Sequence, residues 1–404
     1  MDYEKQKSDT GIKVTIVEIE DGLAQETPRT RKCFQSLGRS FKRRCRSDSE
    51  NGSSPWIKLL KRVLVFLSVT GVCLGIAYIT HHAVLASLIR RLSPMVLPQN
   101  GLTAIVDAWV EPGTVTPAPP SWRPDFSRDI QPKPIHSHND YWRRVPLFDS
   151  LSVGITAVEA DCHLVGDEIF VGHQVQSLRR NRTFNSLYLD PLFEILENQN
   201  MGKAANDPTK NGVWDVDPSR GFILMTDLKT EGHATLNAVQ KQLDRFRENG
   251  WLTYWNGTDI VPGPLLHIGT GNTPFKAILE SSYSNSTYRD VFFDAPLDAL
   301  SDAYNITNSY YSSTSLTKLF GSSKIPRSGL TKSQIKVVHS QIEKATNLGL
   351  VTRYWDIPAW PIETRTKIWR QLEQAQIGML NVDAIDLAAR WNWRLCNILG
   401  MNLC

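Results

Sequence analysis

G-F-I-L-M-T-D-L-K, Gly221 to Lys229, is a short apolar run that ends in charge. A run of this length, too short for a core helix and closed by polar residues, suits a strand buried on both faces. The same pattern recurs on either side of it. K-P-I-H-S-H-N (133–139), T-A-V-E-A-D-C-H-L (156–164) and E-I-F-V-G-H (168–173) precede it. P-L-L-H-I-G-T-G-N (264–272), D-V-F-F-D-A-P-L (290–297), L-V-T-R-Y-W-D-I-P (350–358) and M-L-N-V-D-A-I (379–385) follow. Stretches of helical period such as T-L-N-A-V-Q-K-Q-L-D-R-F (235–246) separate most of them, which is the mark of βα units on a parallel sheet. Eight such strands within residues 132–404 predict a closed (β/α)8 barrel of the α/β class, for which about 250 residues is usual. No G-x-G-x-x-G opens a helix, so a dinucleotide-binding sheet is disfavoured.

In such a barrel the functional groups sit where the strands end. His138 closes the first strand. Glu159 and Asp161 occupy alternate positions of the second, His173 ends the short strand after it, and Asp227 and Lys229 end the one quoted above. Residues two apart on a strand face the same way, so Glu159, Asp161 and Asp227 are expected to converge on one opening. Three carboxylates together call for a cation, and an all-oxygen set suits a hard ion, Mg2+ or Ca2+. His138 and His173 are then the candidate proton carriers. Lys229, Asn139 and Arg143 (or Arg144) are the candidates for holding an anion. Cation, histidine pair and fixed positive charge are the requirements for cleaving a phosphodiester. His136, His267, Asp294, Arg353 and Asp356 also lie at or near strand ends; alone, each reads as core or pocket lining. Tyr141, Trp142, Tyr354, Trp355 and Trp360 read equally as a pocket for acyl chain or headgroup and as packing between helices and barrel.

The rest of the chain is organised differently. The 404 residues are 41% hydrophobic and 21% charged with a net charge of +4, ordinary for a globular protein. The basic excess is local: Arg29 to Arg62 contains eleven Lys and Arg against Asp48 and Glu50. Such a tail, closing with S-D-S-E-N-G-S-S-P, reads as disordered, giving a cytoplasmic segment over 1–58. Next comes the uncharged V-L-V-F-L-S-V-T-G-V-C-L-G-I-A-Y-I-T (63–80), placing a transmembrane helix with its flank over 59–88. A signal peptide has a shorter basic region, and the core helix of a soluble domain seldom follows a long basic tail. Positive charge favours the cytoplasmic side, so a single-pass type II arrangement is expected, with the barrel lumenal or extracytoplasmic, in the secretory pathway, vacuole or plasma membrane. N-x-T acceptors for N-glycosylation at Asn181, Asn256, Asn285 and Asn305 all follow the span, while Asn51 precedes it. P-G-T-V-T-P-A-P-P-S-W-R-P (112–124) lies in what reads as a proline-rich stalk over 89–131. Six scattered cysteines give no disulfide framework and no zinc spacing; Cys396 and Cys404 are candidates to pair in an oxidising lumen, Cys33 and Cys45 to be thiols or palmitoylated. Nothing points to nucleic acid.

H-x-H-N-D-Y, R-x-x-P-L, V-E-A-D, V-G-H, D-L-K and W-D-I-P, in that order across Pro132 to Leu387, resemble the fungal family called altered inheritance of mitochondria protein 6. That family is similar to glycerophosphodiester phosphodiesterases, phosphatidylinositol-specific phospholipases C and spider-venom sphingomyelinase D enzymes. The resemblance implies a (β/α)8 barrel with Mg2+ or Ca2+ on Glu159, Asp161 and Asp227, His138 and His173 as acid and base, Lys229 on phosphate, and a glycerophosphodiester or phospholipid substrate that is hydrolysed or cyclised. Glycerophosphodiester phosphodiesterases place Arg-Gly after the first histidine, where this chain has Asn139 and Asp140, so the phosphate arginine is sought elsewhere. The competing expectation is a non-catalytic barrel that binds lipid or phospho-ligands. A phosphomonoesterase is disfavoured by the shortage of ligands for two metals. The acidic start (Asp2, Glu4, Asp9, Glu18, Glu20, Asp21) does not suit a mitochondrial presequence.

Overall fold

The computed structural model describes residues 54–93, 96–114, 122–204, 207–280, 283–285, 287–390, 397–398 and 401–402. Of the tail expected as disordered over 1–58, residues 1–53, with Cys33, Cys45 and Asn51, lie outside them, as do Cys396, Cys404 and the proline-rich centre at 115–121; residues 55–58 instead belong to the helix that follows. The chain divides into two units, 1–74 and 75–404. The apolar segment forms helix α1, Pro55–Leu92, long and apolar enough to cross a membrane, with its large apolar side chains exposed from Trp56 to Ile89. Its 38 residues span about 57 Å at 1.5 Å per residue, more than a bilayer core of about 30 Å requires. Proline at its first position fits, because the missing N–H has no helical partner there.

The second unit contains the barrel. Its strands are β1 (Lys133–Ser137), β2 (Ile155–Val165) with the short arm β3 (Glu168–Val171), β4 (Phe222–Leu228), a hairpin β5 (Tyr254–Trp255) and β6 (Ile260–Val261), β7 (Leu265–Gly271), β8 (Ser284–Asn285) and β9 (Tyr288–Arg289), β10 (Val291–Pro296), β11 (Ser309–Ser315), β12 (Val351–Trp355) and β13 (Met379–Val382). Strands β1, β2, β4, β7, β10, β11, β12 and β13 pair in parallel, and β1 bonds to both β2 and β13, which closes the ring. The (β/α)8 barrel is therefore present, with one exchange among its expected strands. E-I-F-V is not a stave of the barrel; β3 runs antiparallel to β2 as a hairpin extension. The eighth stave is β11, S-Y-Y-S-S-T-S, whose hydroxyl-rich sequence lacks the aliphatic run that marks the others.

Alternation sorts the side chains. On β4, Phe222, Leu224 and Leu228 belong to the shell between sheet and helices, while Ile223 and Met225 meet Ala157, Leu266, Ile268, Phe292, Tyr311 and Met379 in the barrel interior. Following the inward parity toward the strand ends, the apolar layer gives way to polar groups: Ala157 to Glu159 and Asp161, Met225 to Asp227, Phe292 to Asp294, Tyr311 to Ser313, Met379 to Asn381. The interior is thus apolar below and polar above, at the end where such barrels carry their sites.

The segment expected as a stalk contributes to this unit. Helix α2, Gly101–Ala108, is capped by Asn100, whose Oδ1 accepts from Thr103 N at 3.0 Å. Leu102 and Val106 are buried with Phe126 and Ile130 in the same core as β2 and β4. The apolar L-T-A-I-V of α2 is what a solvated spacer would not carry. Leu102→Ala should therefore cost the barrel about 2–4 kcal/mol in urea unfolding; an unmoved midpoint would mean α2 is only a tether.

Candidate active site

The carboxylate cluster forms as the spacing predicts. β2 and β4 pair with Asp161 opposite Asp227, and Glu159 lies one inward position deeper. Oxygen atoms of Glu159, Asp161 and Asp227 all lie within 4.8 Å of one another, the one such group among the described residues. Glu159 is held from below: its Oε2 lies 3.3 Å from His136 Nε2 and 3.5 Å from Arg353 NH1. Burial alone would raise its pKa, but that hydrogen bond and the Arg353 charge outweigh burial and bring it to about 2. Glu159 therefore stays ionised and repels its neighbours. Asp227 is pushed up to about 6 by burial and then by Glu159, and Asp161 is raised for the same two reasons. Lys229 compensates in part, with Nζ 2.6 Å from Asp227 Oδ2 and 3.2 Å from Asp161 Oδ2. A glycine at the end of β7 makes the room: Gly271 has φ +66°, and a Cβ there would strike Asp227 Oδ1.

A hard divalent cation fits this cradle. Asp161 Oδ1 is buried with no hydrogen-bond partner, although Oδ2 of the same carboxylate is contacted by Lys229, Tyr141 and His173. An unsatisfied carboxylate oxygen beside two further carboxylates, one kept charged, is costly without a cation and is the donor chemistry that Mg2+ and Ca2+ prefer.

His138 and His173 border the same mouth. His138 Nδ1 lies 2.8 Å from Asp383 Oδ1, just beyond the end of β13. Burial works to lower the His138 pKa, yet the Asp383 hydrogen bond and the Glu159 charge prevail and raise it. With Nδ1 engaged, Nε2 is the ring nitrogen that makes no hydrogen bond among the described residues. His173 Nδ1 lies 3.2 Å from Asp161 Oδ2 and 3.2 Å from the Tyr141 hydroxyl, and its ring packs against Trp142 at 5.1 Å. Tyr141 is a hub: its hydroxyl is also 2.7 Å from Asn139 Oδ1 and 2.8 Å from Asp161 Oδ2, and it can donate to only one of them at a time.

The anion candidates fare differently. Lys229 reaches the carboxylates. Asn139 is buried in a left-handed turn (φ 48°) with its Oδ1 on Tyr141. Arg143 is committed to the protein: Nε donates to Ser137 Oγ at 3.2 Å, NH1 to Asp383 O at 2.5 Å and NH2 to His138 O at 3.1 Å. It clamps the ends of β1 and β13 together, holding both members of the His138–Asp383 pair. Arg144 donates to Val106 O on α2. Asp140, which stands where the glycine of Arg-Gly would be, is buried and accepts from Leu147 N and Ser150 Oγ, so it shapes the loop.

His136 is fully buried beneath Glu159, its pKa lowered to about 4 by burial and then by Arg353, so it serves as a neutral orienting group. Arg353 binds Asp294 Oδ2 at 3.0 Å, Asn381 Oδ1 at 2.9 Å and Ser313 Oγ at 3.0 Å. His267 faces the helices, between Thr226 Oγ1 and Gln240 Nε2. Asp356 accepts from Ser315 and Thr317. Asp383 and Gly271 are the site residues that sequence reasoning passed over, and Tyr141, read there as pocket lining or packing, is a hydrogen-bonding member of the site. Asp383 had a signal: it is the polar residue ending M-L-N-V, the same feature that marked Asp227.

Comparison with known proteins places the chain in a family. The family described as AIM6-like phosphodiesterase domain matches residues 124–294. The altered inheritance of mitochondria protein 6 homolog of Arthroderma benhamiae is 34% identical over 273 residues, covering 65% of this chain and 85% of that protein. This chain belongs to the altered inheritance of mitochondria protein 6 family. Members from Candida glabrata (33% identical, 65% of this chain and 72% of that one) and Saccharomyces cerevisiae (32%, with the same coverages) are similarly related. The family's domain match takes in His138, His173 and the three carboxylates and stops at β10, so Arg353 and Asp383 lie beyond it.

Proposed function

We propose that this protein is a membrane-anchored, divalent-cation-dependent phosphoric diester hydrolase, or cyclising lyase, that acts on a glycerophosphodiester or a phospholipid headgroup. The observation that carries this reading is the unsatisfied, buried Asp161 Oδ1, in a carboxylate cradle whose mouth also holds a carboxylate-supported histidine. Glu159, Asp161 and Asp227 would hold Mg2+ or Ca2+, which when bound supplies positive charge against the phosphoryl oxygens. His138, with Asp383 stabilising the imidazolium form, is suited to take the proton of the attacking hydroxyl at Nε2. His173 is the partner that returns a proton to the leaving oxygen. Lys229, which contacts both aspartates, would be free to contact phosphate if those aspartates held a metal. Trp142 and Trp360, 61% and 76% exposed on loops that follow β1 and β12, support a substrate with an apolar part. Anchoring rests on α1, and the basic tail before it favours a barrel on the lumenal side.

The test is turnover of bis(p-nitrophenyl) phosphate, glycerophosphodiesters and lysophospholipids by the purified protein, with chelator and with Mg2+ or Ca2+ restored. Turnover lost on chelation and regained with metal is expected. Binding of metal and lipid with no turnover of any of them would sink the enzymatic reading and favour a lipid or phospho-ligand receptor.

A further inference from the structure

We infer that the barrel carries N-linked glycans at Asn256 and Asn305, on the face opposite the active-site mouth, and that Asn181 stays bare. The inference rests on the lumenal placement proposed above and adds which acceptors the fold presents. The N-S-T at Asn285 includes residue 286, outside the described residues. The other three acceptors differ in their surroundings.

Asn256 is exposed in the turn between β5 and β6. Its Oδ1 accepts from Thr258 N at 2.9 Å and from Thr258 Oγ1 at 2.9 Å. Asn305, half-buried, repeats the hydrogen bonding: its Oδ1 accepts from Thr307 N at 3.0 Å and Thr307 Oγ1 at 2.7 Å. Both side chains thus meet the acceptor threonine through the amide oxygen, and Nδ2 makes no hydrogen bond among the described residues. Nδ2 is the atom that reacts. It forms the bond to C1 of the sugar, the lipid-linked pyrophosphate of the oligosaccharide donor leaves, and one Nδ2 proton passes to a base of the transferase. Asn181 is exposed too, but there the same atom is occupied, donating to Pro112 O at 2.8 Å, and Thr183 Oγ1 accepts from Ser186 N at 3.0 Å. A glycan there would be forced against the Pro112 segment.

The topology sets the direction. The β5–β6 turn lies between the helix Asp244–Glu248 and the start of β7, and Asn305 comes just before the start of β11, where Phe293 N donates to Asn308 O. Both are on the side where strands begin, whereas His138, Asp161, Asp227 and Asp383 lie at or just past the other ends. Glycans at these two positions leave the mouth open to substrate.

The experiment expresses the full chain in a eukaryotic host with an N-x-T acceptor tag added after Cys404. Peptide N-glycosidase in heavy-oxygen water converts each modified Asn to labelled Asp, which peptide mapping reads. Label at Asn256, Asn305 and the tag, and none at Asn181, is the expected result. Asn256→Gln and Asn305→Gln should each remove their own site, and the double variant should keep wild-type turnover. Should Asn256→Gln fail to fold, Thr258→Ala removes the same acceptor while keeping the asparagine. A labelled tag with Asn256 and Asn305 unlabelled, or with Asn181 labelled, overturns the assignment and leaves the topology standing. An unlabelled tag means the barrel is not lumenal, and the inference falls with it.

Discussion

Asp161→Asn should cut metal-dependent turnover by about 10³-fold and weaken Mg2+ or Ca2+ binding by at least about 10²-fold, while leaving the fold intact. The substitution keeps the volume and removes one negative charge. It also offers an amide N–H where the cradle has a bare carboxylate oxygen, so a cation loses a ligand and gains a repulsive neighbour. The stability effect runs the other way. The Asp161 pKa is raised by burial and Glu159, so its charge opposes folding above that pKa, and the metal-free variant should melt no lower than wild type near neutral pH. Calorimetric titration with metal, thermal melting and turnover separate these effects. Unchanged metal affinity in the variant would remove Asp161 from the ligand set.

The second large effect is expected at the barrel's seam. His138→Ala should lower turnover by about 10³-fold, and Asp383→Asn by about 10²-fold, within the range for general acid and base groups. Asp383→Asn should also change the pH profile in a defined direction. A base must be neutral to act, so turnover falls on the acid side of its pKa. Burial opposes the raised pKa of His138, and the Asp383 hydrogen bond and charge help to sustain it; losing them moves the acid limb to lower pH. Linkage gives a matching stability signature. A histidine with a raised folded pKa contributes stability that is fully present below its unfolded value of about 6.5 and lost as pH rises through the folded value. The variant should therefore lose more stability in acid than in mild alkali. A lower melting temperature with an unmoved acid limb would make Asp383 a packing residue only.

Most of the barrel was legible because a strand buried on both faces must be a short apolar run, as in F-I-L-M-T-D-L, and its inward end must turn polar where the plug gives out. The carboxylates followed from parity alone. β11 escaped because most of its buried positions carry hydroxyls in place of aliphatic side chains, among them Ser313, which accepts from Arg353, and Ser315, which caps the helix Leu316–Phe320. β3 misled because four residues of strand carry no sign of their direction. Arg143 seemed free for phosphate because a sequence cannot reveal which carbonyls a guanidinium will find; three acceptors at the β1–β13 junction claim it. Asp383 lies 245 residues from His138, a separation across which no spacing rule operates.

That separation has a consequence for biosynthesis. The first strand finds its last neighbour only when β13 has been made, and until then His138 has no Asp383 and Arg143 no carbonyls to bridge. The contact between His138 and Asp383 is therefore the last part of the site to be completed, when every carboxylate of the cradle is already in the chain.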